Sequence, residues 1–422
     1  MKEELLHYFW RTHRWRDQNI FTTDGQPLQI IVPGDLNKDA GPDFSNAKIR
    51  IGDELWIGNI EIHVKASEWY LHQHQYDPQY KTVILHVVWS EDQQVYFDGN
   101  RKIPCFELKN IISKDIIDNY ERLMNSAFWI ACENQVDKID MQKAALGLNA
   151  KLIEKLQDKT TLLEHIYSKT NGDWNETFHR FLARGFGLNV NGTAFELLAE
   201  KLPLELIRKY TNDTEKLEAV VFGIAGFLNN ASEDYAIKLK GIFESLPKNN
   251  LPEILPEGVF KFFRARPSNF PTIRIAQWIK LISDHDLLLN EVVSMSHPDE
   301  FINFICSPLN GFWQNHFTFS ATSNGFPTKA GKEFAKLLLI NSVAPFLFFY
   351  GKKLGNIELQ QTATDWLDEI KGEKNTIIKK FQELGFPTST AAQTQGLLHL
   401  KKKYCECKRC LECPFGAQIF RS

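Results

Sequence analysis

Three side chains able to handle protons and metals alternate along GNIEIHVKASEW, residues 58–69: Glu61, His63 and Lys65. Period-two alternation puts them on one face of a strand, with Ile62 and Val64 on the other. A carboxylate can hold a hard cation, an imidazole can take a proton or a transition metal, and an amine can orient water. A solvated sheet face would carry the same letters, so the neighbouring segments matter. DAGPDF places Asp39 and Asp43 at the mouth of another strand-like run, and SEWYLHQHQYDPQY adds His72, His74 and Asp77. His86 stands among apolar residues in ILHVV. A lone histidine in such a run is usually a satisfied core group.

Two metal chemistries follow from these residues. Asp43 and Glu61 on adjacent strands would give Mg²⁺ or Mn²⁺ two hard oxygens, and such ions keep several waters. His63 or Lys65 would then orient or deprotonate the attacking water. Alternatively, His63, His72, His74 and His86 would build a different metal hydrolase.

A second group lies at the other end. Cys405, Cys407, Cys410 and Cys413 fall within nine residues. Seven cysteines without an export signal argue against a disulfide framework, and clustered thiolates in a reducing compartment bind metal. Cys407, Cys410 and Cys413 have C-x2-C-x2-C spacing, and Cys405, Cys410 and Cys413 have C-x4-C-x2-C spacing; both occur in ferredoxin-type clusters. Zinc on all four thiols is the alternative. A fourth ligand from outside the cluster would be Cys105, Cys132, Cys306 or His399. Lys401, Lys402, Lys403, Lys408, Arg409 and Arg421 outnumber Glu406 and Glu412 here. Such a run can hold phosphates, though it is more often a solvated face.

The elements that must position these groups show in the hydrophobic period. Residues 2–13 read as a helix with Leu5, Leu6, Phe9 and Trp10 on one stripe and Glu3 and His7 sharing another face. LQIIV (28–32), AKIRI (47–51), LWIGNIEIHV (55–64) and TVILHVVW (82–89) read as strands. Residues 66–81 are long enough for a crossover between parallel strands. QVYFDGNRKIPCFEL reads as a hairpin about Asp98 and Gly99. From about residue 113 the pattern is helical. VAPFLFFYG (343–351) reads as a buried helix, and no uninterrupted apolar run approaches membrane-spanning length. RARPSNFPT offers Arg264 and Arg266, with Arg274 just beyond, and these are read as loop braces. The fold class predicted is α+β: a mixed-sheet α/β domain (1–112), a large α-helical domain (113–398) and a basic, cysteine-rich tail (399–422).

Pro42-Asp43 followed by Glu61-Ile62-His63 resembles the PD-(D/E)XK nuclease pattern. That resemblance implies a helix-strand-strand-strand-helix-strand core over about the first 110 residues. It also implies Asp43 and Glu61 as Mg²⁺ ligands. His63 stands where the family has its lysine, Lys65 one pleat further on could substitute, and Glu3 would match an auxiliary acid. Some of these nucleases carry a C-terminal Fe–S staple. Over the whole chain, GDLNKDAGPDFSNAKI, GNIEIHVKASEWYLHQH, TVILHVV, RARPSNFPTIRIAQ and YCECKRCLECPFG resemble a bacterial domain-of-unknown-function family, 2851, which implies no activity.

The expectation is a metal-dependent nuclease cleaving nucleic-acid phosphodiesters. The alternatives are an inactive nucleic-acid or protein binding module on the same fold, or the histidine-based hydrolase. With a net charge of −3 there is no global basic field, so nucleic acid would need a local patch. The opening MKEELLHYFWRTHRWRD has no apolar h-region, and a cytoplasmic protein without membrane contact is expected.

Overall fold

The structure, a computed structural model, describes residues 1–13, 15, 19–37, 39–263 and 265–420. Arg264 and Arg421 lie outside the described residues. The chain forms two compact units, 1–140 joined by 401–422, and 141–400. The basic, cysteine-rich tail is therefore part of the first unit. So is the helix Lys114–Asn125, which begins where the sequence predicts the helical domain to start.

The first unit opens with α1 (Glu3–Thr12), which buries Leu5, Leu6, Tyr8, Phe9 and Trp10. The Trp10 indole N–H donates to the Pro33 carbonyl (2.9 Å). Seven strands form one sheet among the described residues: β1 (Ile20–Phe21), β2 (Pro27–Val32), β3 (Asp35–Leu36), β4 (Phe44–Ile51), β5 (Glu54–Lys65), β6 (Val83–Ser90) and, after a small hairpin, the strand Cys105–Glu107. The path runs β1-β2-β4-β5-β6 and then Cys105–Glu107, with β3 on β4. β2, β4 and β5 are antiparallel neighbours, β6 is parallel to β5, and Cys105–Glu107 is parallel to β6. The parallel pair needs a crossover. It is supplied by α2 (Glu68–Leu71) and two 3₁₀ turns, His74–Tyr76 and Pro78–Thr82.

The predicted 94–108 hairpin divides. Tyr96–Phe97 and Arg101–Lys102 pair around Asp98 and Gly99, both at positive φ (51° and 70°) as a tight primed turn requires. Cys105–Glu107 leaves this ribbon for the main sheet, because Cys105 and Phe106 are apolar enough to be buried beside β6.

The second unit is helical. Its long helices pack Phe and Trp side chains into one core, with Trp278, Trp313, Trp366, Phe178 and Phe195 almost fully buried. Arg274 is buried in this unit, bonded to Asn269 and Gln277 with its guanidinium over the Phe334 ring, and braces the turn Pro267–Asn269. Lys332–Leu354 is one helix long and apolar enough to cross a membrane by length and composition. Asn341 and Ser342 interrupt the apolar letters but not the helix, and 78% of its apolar window is buried in the protein. The stretch 343–351 is buried, as its pattern predicts.

Candidate metal centre

A bulge in β4 aims the first carboxylate. The β4–β5 register shifts between Phe44 and Ala47, and Asn46 takes φ 59°. This brings Asp43 against the middle of β5. The Ile62 N–H donates to Asp43 Oδ2 (2.9 Å), and the Asp43 N–H donates to Glu61 Oε2 (3.2 Å). On the far side, His7 Nε2 of α1 lies 3.3 Å from Asp43 Oδ2, ion-pair contact rather than a well-aligned hydrogen bond.

The crossover delivers two imidazoles. Gln73 sits between them at φ 61°, so the chain turns sharply after α2. Trp69, fully buried, anchors the segment against His74, Tyr80 and His86. His74 stacks on Tyr80 with ring centroids 3.8 Å apart.

The donors converge on one point. His63 Nε2 is 3.2 Å from His72 Nδ1 and 3.5 Å from Glu61 Oε1, and His74 Nε2 is 3.3 Å from the same oxygen. One ligand atom from each of His63, His72 and His74 lies within 4.8 Å of the others. The triad can therefore hold a metal ion. Ligands about 2.0–2.1 Å from a tetrahedral ion stand about 3.3–3.4 Å apart, close to the 3.2 Å between His63 Nε2 and His72 Nδ1. Behind the triad, His63 Nδ1 is 2.8 Å from His86 Nε2. His86 Nδ1 is buried without a partner among the described residues. A His63 that ligates through Nε2 carries its proton on Nδ1 and donates it to His86, an arrangement that fixes the tautomer.

The electrostatics are those of a buried polar cluster. Burial, followed by its His74 and His72 neighbours, pushes His63 down to about 3, so it is neutral and able to ligate. His86 is lowered well below its ordinary value, chiefly by burial. Burial and the Asp43 charge push Glu61 up to about 9. The carboxyl therefore keeps its proton at neutral pH unless a cation offsets its desolvation. Burial alone would lower His7, but Asp43, with Glu3 and Glu61, outweighs it and raises the imidazole above its usual value. Glu3 is raised by burial and by Asp43 and Glu68, which places it at the edge of the same cluster.

The sequence-predicted residues thus separate. Glu61, His63, His72 and His74 come together, with Asp43 bonded to their edge. Lys65 does not join them: it is exposed near the strand end, its N–H bonds Glu68 Oε2 (2.9 Å), and its charge acts on Asp92. Asp77 caps the turn Pro78–Thr82 through the Gln79 N–H and reaches His74 only electrostatically. Asp39 is exposed in a turn closed by the Asn37 side chain. His86 is a partner of His63 rather than a lone core group. His7 was not singled out as a site residue, although its i, i+4 spacing from Glu3 was the available signal.

In the tail, Cys410 and Cys413 are buried, Cys405 is half-buried and Cys407 is exposed. Most of the described tail cations are engaged. Lys401 is buried, paired with Glu406 and set over the Trp129 ring. Lys408 donates to the Met124 and Ser126 carbonyls, and Arg409 pairs with Glu412. Lys402 and Lys403 are exposed.

No curated protein and no solved structure matches the chain, so neither comparison supports the PD-(D/E)XK resemblance. A family model described as a protein of unknown function, DUF2851, matches residues 3–376 and leaves the cysteine-rich tail outside the matched span. That span is most of the chain, and the protein belongs to the DUF2851 family.

Proposed function

We propose that the first unit is a metal-dependent hydrolase whose ion is held by imidazoles, with phosphodiesters as its substrate class. The observation that carries this reading is the convergence of one ligand atom each from His63, His72 and His74, all within 4.8 Å of one another, with Glu61 Oε1 3.5 and 3.3 Å from the first and third of these rings; three imidazoles leave a fourth position for water. Three imidazoles and one carboxylate suit Zn²⁺, Fe²⁺ or Mn²⁺ better than Mg²⁺, which prefers oxygen. The donor set therefore argues against the magnesium site that the PD-(D/E)XK resemblance implies. When bound, such an ion supplies Lewis-acid activation of water.

The remaining residues have distinct roles. His63, His72 and His74 orient the ion, and Glu61 neutralises charge and accepts a proton. His86 holds the His63 ring. His7, whose imidazole Asp43 and Glu3 raise above its ordinary value, is the proton donor for a leaving oxygen. Beside His7 a groove of about 480 Å³ opens between Arg11, Phe44, Tyr120 and the Lys408–Glu412 loop, wide enough for an extended anionic ligand. The phosphodiester assignment draws on this groove and on the strand order. After the first helix come five strands, of which β2, β4 and β5 are the longer antiparallel ones, then a crossover and the parallel β6, an order comparable with the one the nuclease resemblance implies once the two-residue β1 and β3 are set aside. Nucleic acid is the polymer of that class. A second, separate metal is proposed at the C-terminal cysteines, zinc or an Fe–S cluster with a structural role.

The test uses full-length protein, stripped with chelator and reloaded singly with Zn²⁺, Mn²⁺, Fe²⁺ or Mg²⁺. It is assayed on bis(p-nitrophenyl) phosphate and on single- and double-stranded DNA and RNA. Turnover that depends on a transition ion and disappears in Glu61→Gln and His74→Ala is the expected result. Turnover unchanged in both variants would overturn the assignment. Tight nucleic-acid binding without turnover in any loaded form would favour the binding-module alternative.

A further inference from the structure

Two segments far apart in sequence meet beneath the tail. Lys408 donates to the Met124 and Ser126 carbonyls (2.7 and 3.1 Å), Lys401 lies over the Trp129 ring, and Gln418 Oε1 accepts from the Asp140 N–H (2.9 Å). Between these staples Cys132 caps the 3₁₀ turn Glu133–Lys138, which packs against the short helix Gly416–Ile419 just beyond Cys413. Lys408 at φ 51° reverses the chain after Cys405, and the Arg409 N–H returns to the Tyr404 carbonyl (2.9 Å). The Cys413 N–H bonds the Cys410 carbonyl. The chain then crosses so close to that carbonyl that a Cβ at Gly416 would meet it at 2.0 Å. These turns fold Cys405, Cys410 and Cys413 inward, while Cys407 points out, its thiol facing the Lys402 carbonyl at 3.8 Å.

We propose that Cys132, Cys405, Cys410 and Cys413 together bind one metal centre, with Cys407 outside it. This rests on the thiolate-metal reading above and names its ligands. The four thiols act on one another. Cys413 and Cys410 lie near enough to Cys132 to interact with it electrostatically, and Cys413, Cys132 and Cys410 near enough to Cys405. The ligand set has C-x4-C-x2-C spacing with one distant cysteine. Among the described residues the single-ion spacing found is that of the three imidazoles, not of these sulfurs. Zinc would need the sulfurs about 3.8 Å apart and an Fe–S cluster about 6 to 7 Å, so metal and sulfide analysis distinguishes the two. The other distant candidates lie elsewhere: Cys105 is in the sheet, and Cys306 and His399 belong to the second unit.

The test is metal and acid-labile sulfide analysis of full-length protein purified without oxygen, for wild type, Cys132→Ser and Cys407→Ser. Stoichiometric metal is expected in wild type and in Cys407→Ser, with at least a tenfold loss in Cys132→Ser. Iron with matching sulfide identifies a cluster, and zinc alone a single ion; either supports the four-thiol centre. Because Cys132→Ser can misfold, alkylation of the native wild type gives an independent reading. Cys407 should react while the four ligands are protected until a chelator is added. Metal retained by Cys132→Ser but lost from Cys407→Ser overturns the ligand set alone. No metal above trace, with all the thiols equally reactive, overturns the thiolate-metal reading with it.

Discussion

His86 tests the logic of the site without touching the ion. Groups that hold a ligating imidazole typically contribute 10- to 100-fold in metal affinity. His86→Leu should weaken binding by about that factor in a competition titration with a chromogenic chelator, and unchanged affinity would mean that its 2.8 Å contact with His63 does not hold the ligand. A second histidine reports on stability. His179 is buried in the second unit, bonded through Nε2 to the Leu202 carbonyl, and burial holds it down to about 4. Its folded value lies below the unfolded one of about 6.5, so the unfolded chain takes up the proton first. Stability is therefore lost as pH falls from about 6.5 through 4, by up to about 3 kcal/mol from this group. Urea midpoints at pH 7 and pH 4.5 should differ less in His179→Gln than in wild type. At this scale Glu61 and His63 were legible because period-two spacing exposes a polar face. His86 was not, because its neighbours in sequence are all core residues and its partner, His63, comes from the adjacent strand.

At the scale of elements, the β4 bulge and the crossover turn set the geometry. Asn46 occupies the left-handed region, where a β-branched residue costs about 1–2 kcal/mol. Asn46→Val should lower the stability of the first unit by about that amount and shift Asp43 away from Ile62, whereas Asn46→Gly should change it by only a few tenths of a kcal/mol. Denaturant melts of the two variants decide this, and equal melts would show that the bulge is not held by its backbone conformation. The strands and the long helices were readable from period and turn residues. Cys105–Glu107 was not, because three residues carry too little pattern to reveal whether they pair locally or join a distant strand. The sequence offers His63, His72 and His74 only as an alternative metal set; that they converge depends on a single left-handed residue, Gln73, within a short irregular crossover.

Over the whole molecule, the chain leaves the first unit at residue 140 and re-enters it at 401. The tail contributes contacts to that unit from Lys401 to Phe420, including Phe420 against Tyr8 and Tyr120. Removing residues 401–422 should therefore loosen residues 1–140 and leave 141–400 protected in hydrogen exchange; uniform loss across both units would contradict the division. The cysteine cluster announced a site, but its fourth member could not be chosen from the sequence, because Cys132 is brought near by packing rather than by spacing. The most direct test of the central claim is anomalous diffraction at the zinc edge from crystals of the zinc-loaded protein. The account predicts a peak about 2.0–2.1 Å from His63 Nε2, His72 Nδ1 and His74 Nε2, with the Glu61 carboxylate beside it. Crystals that take up zinc yet show no peak among these four side chains would contradict it.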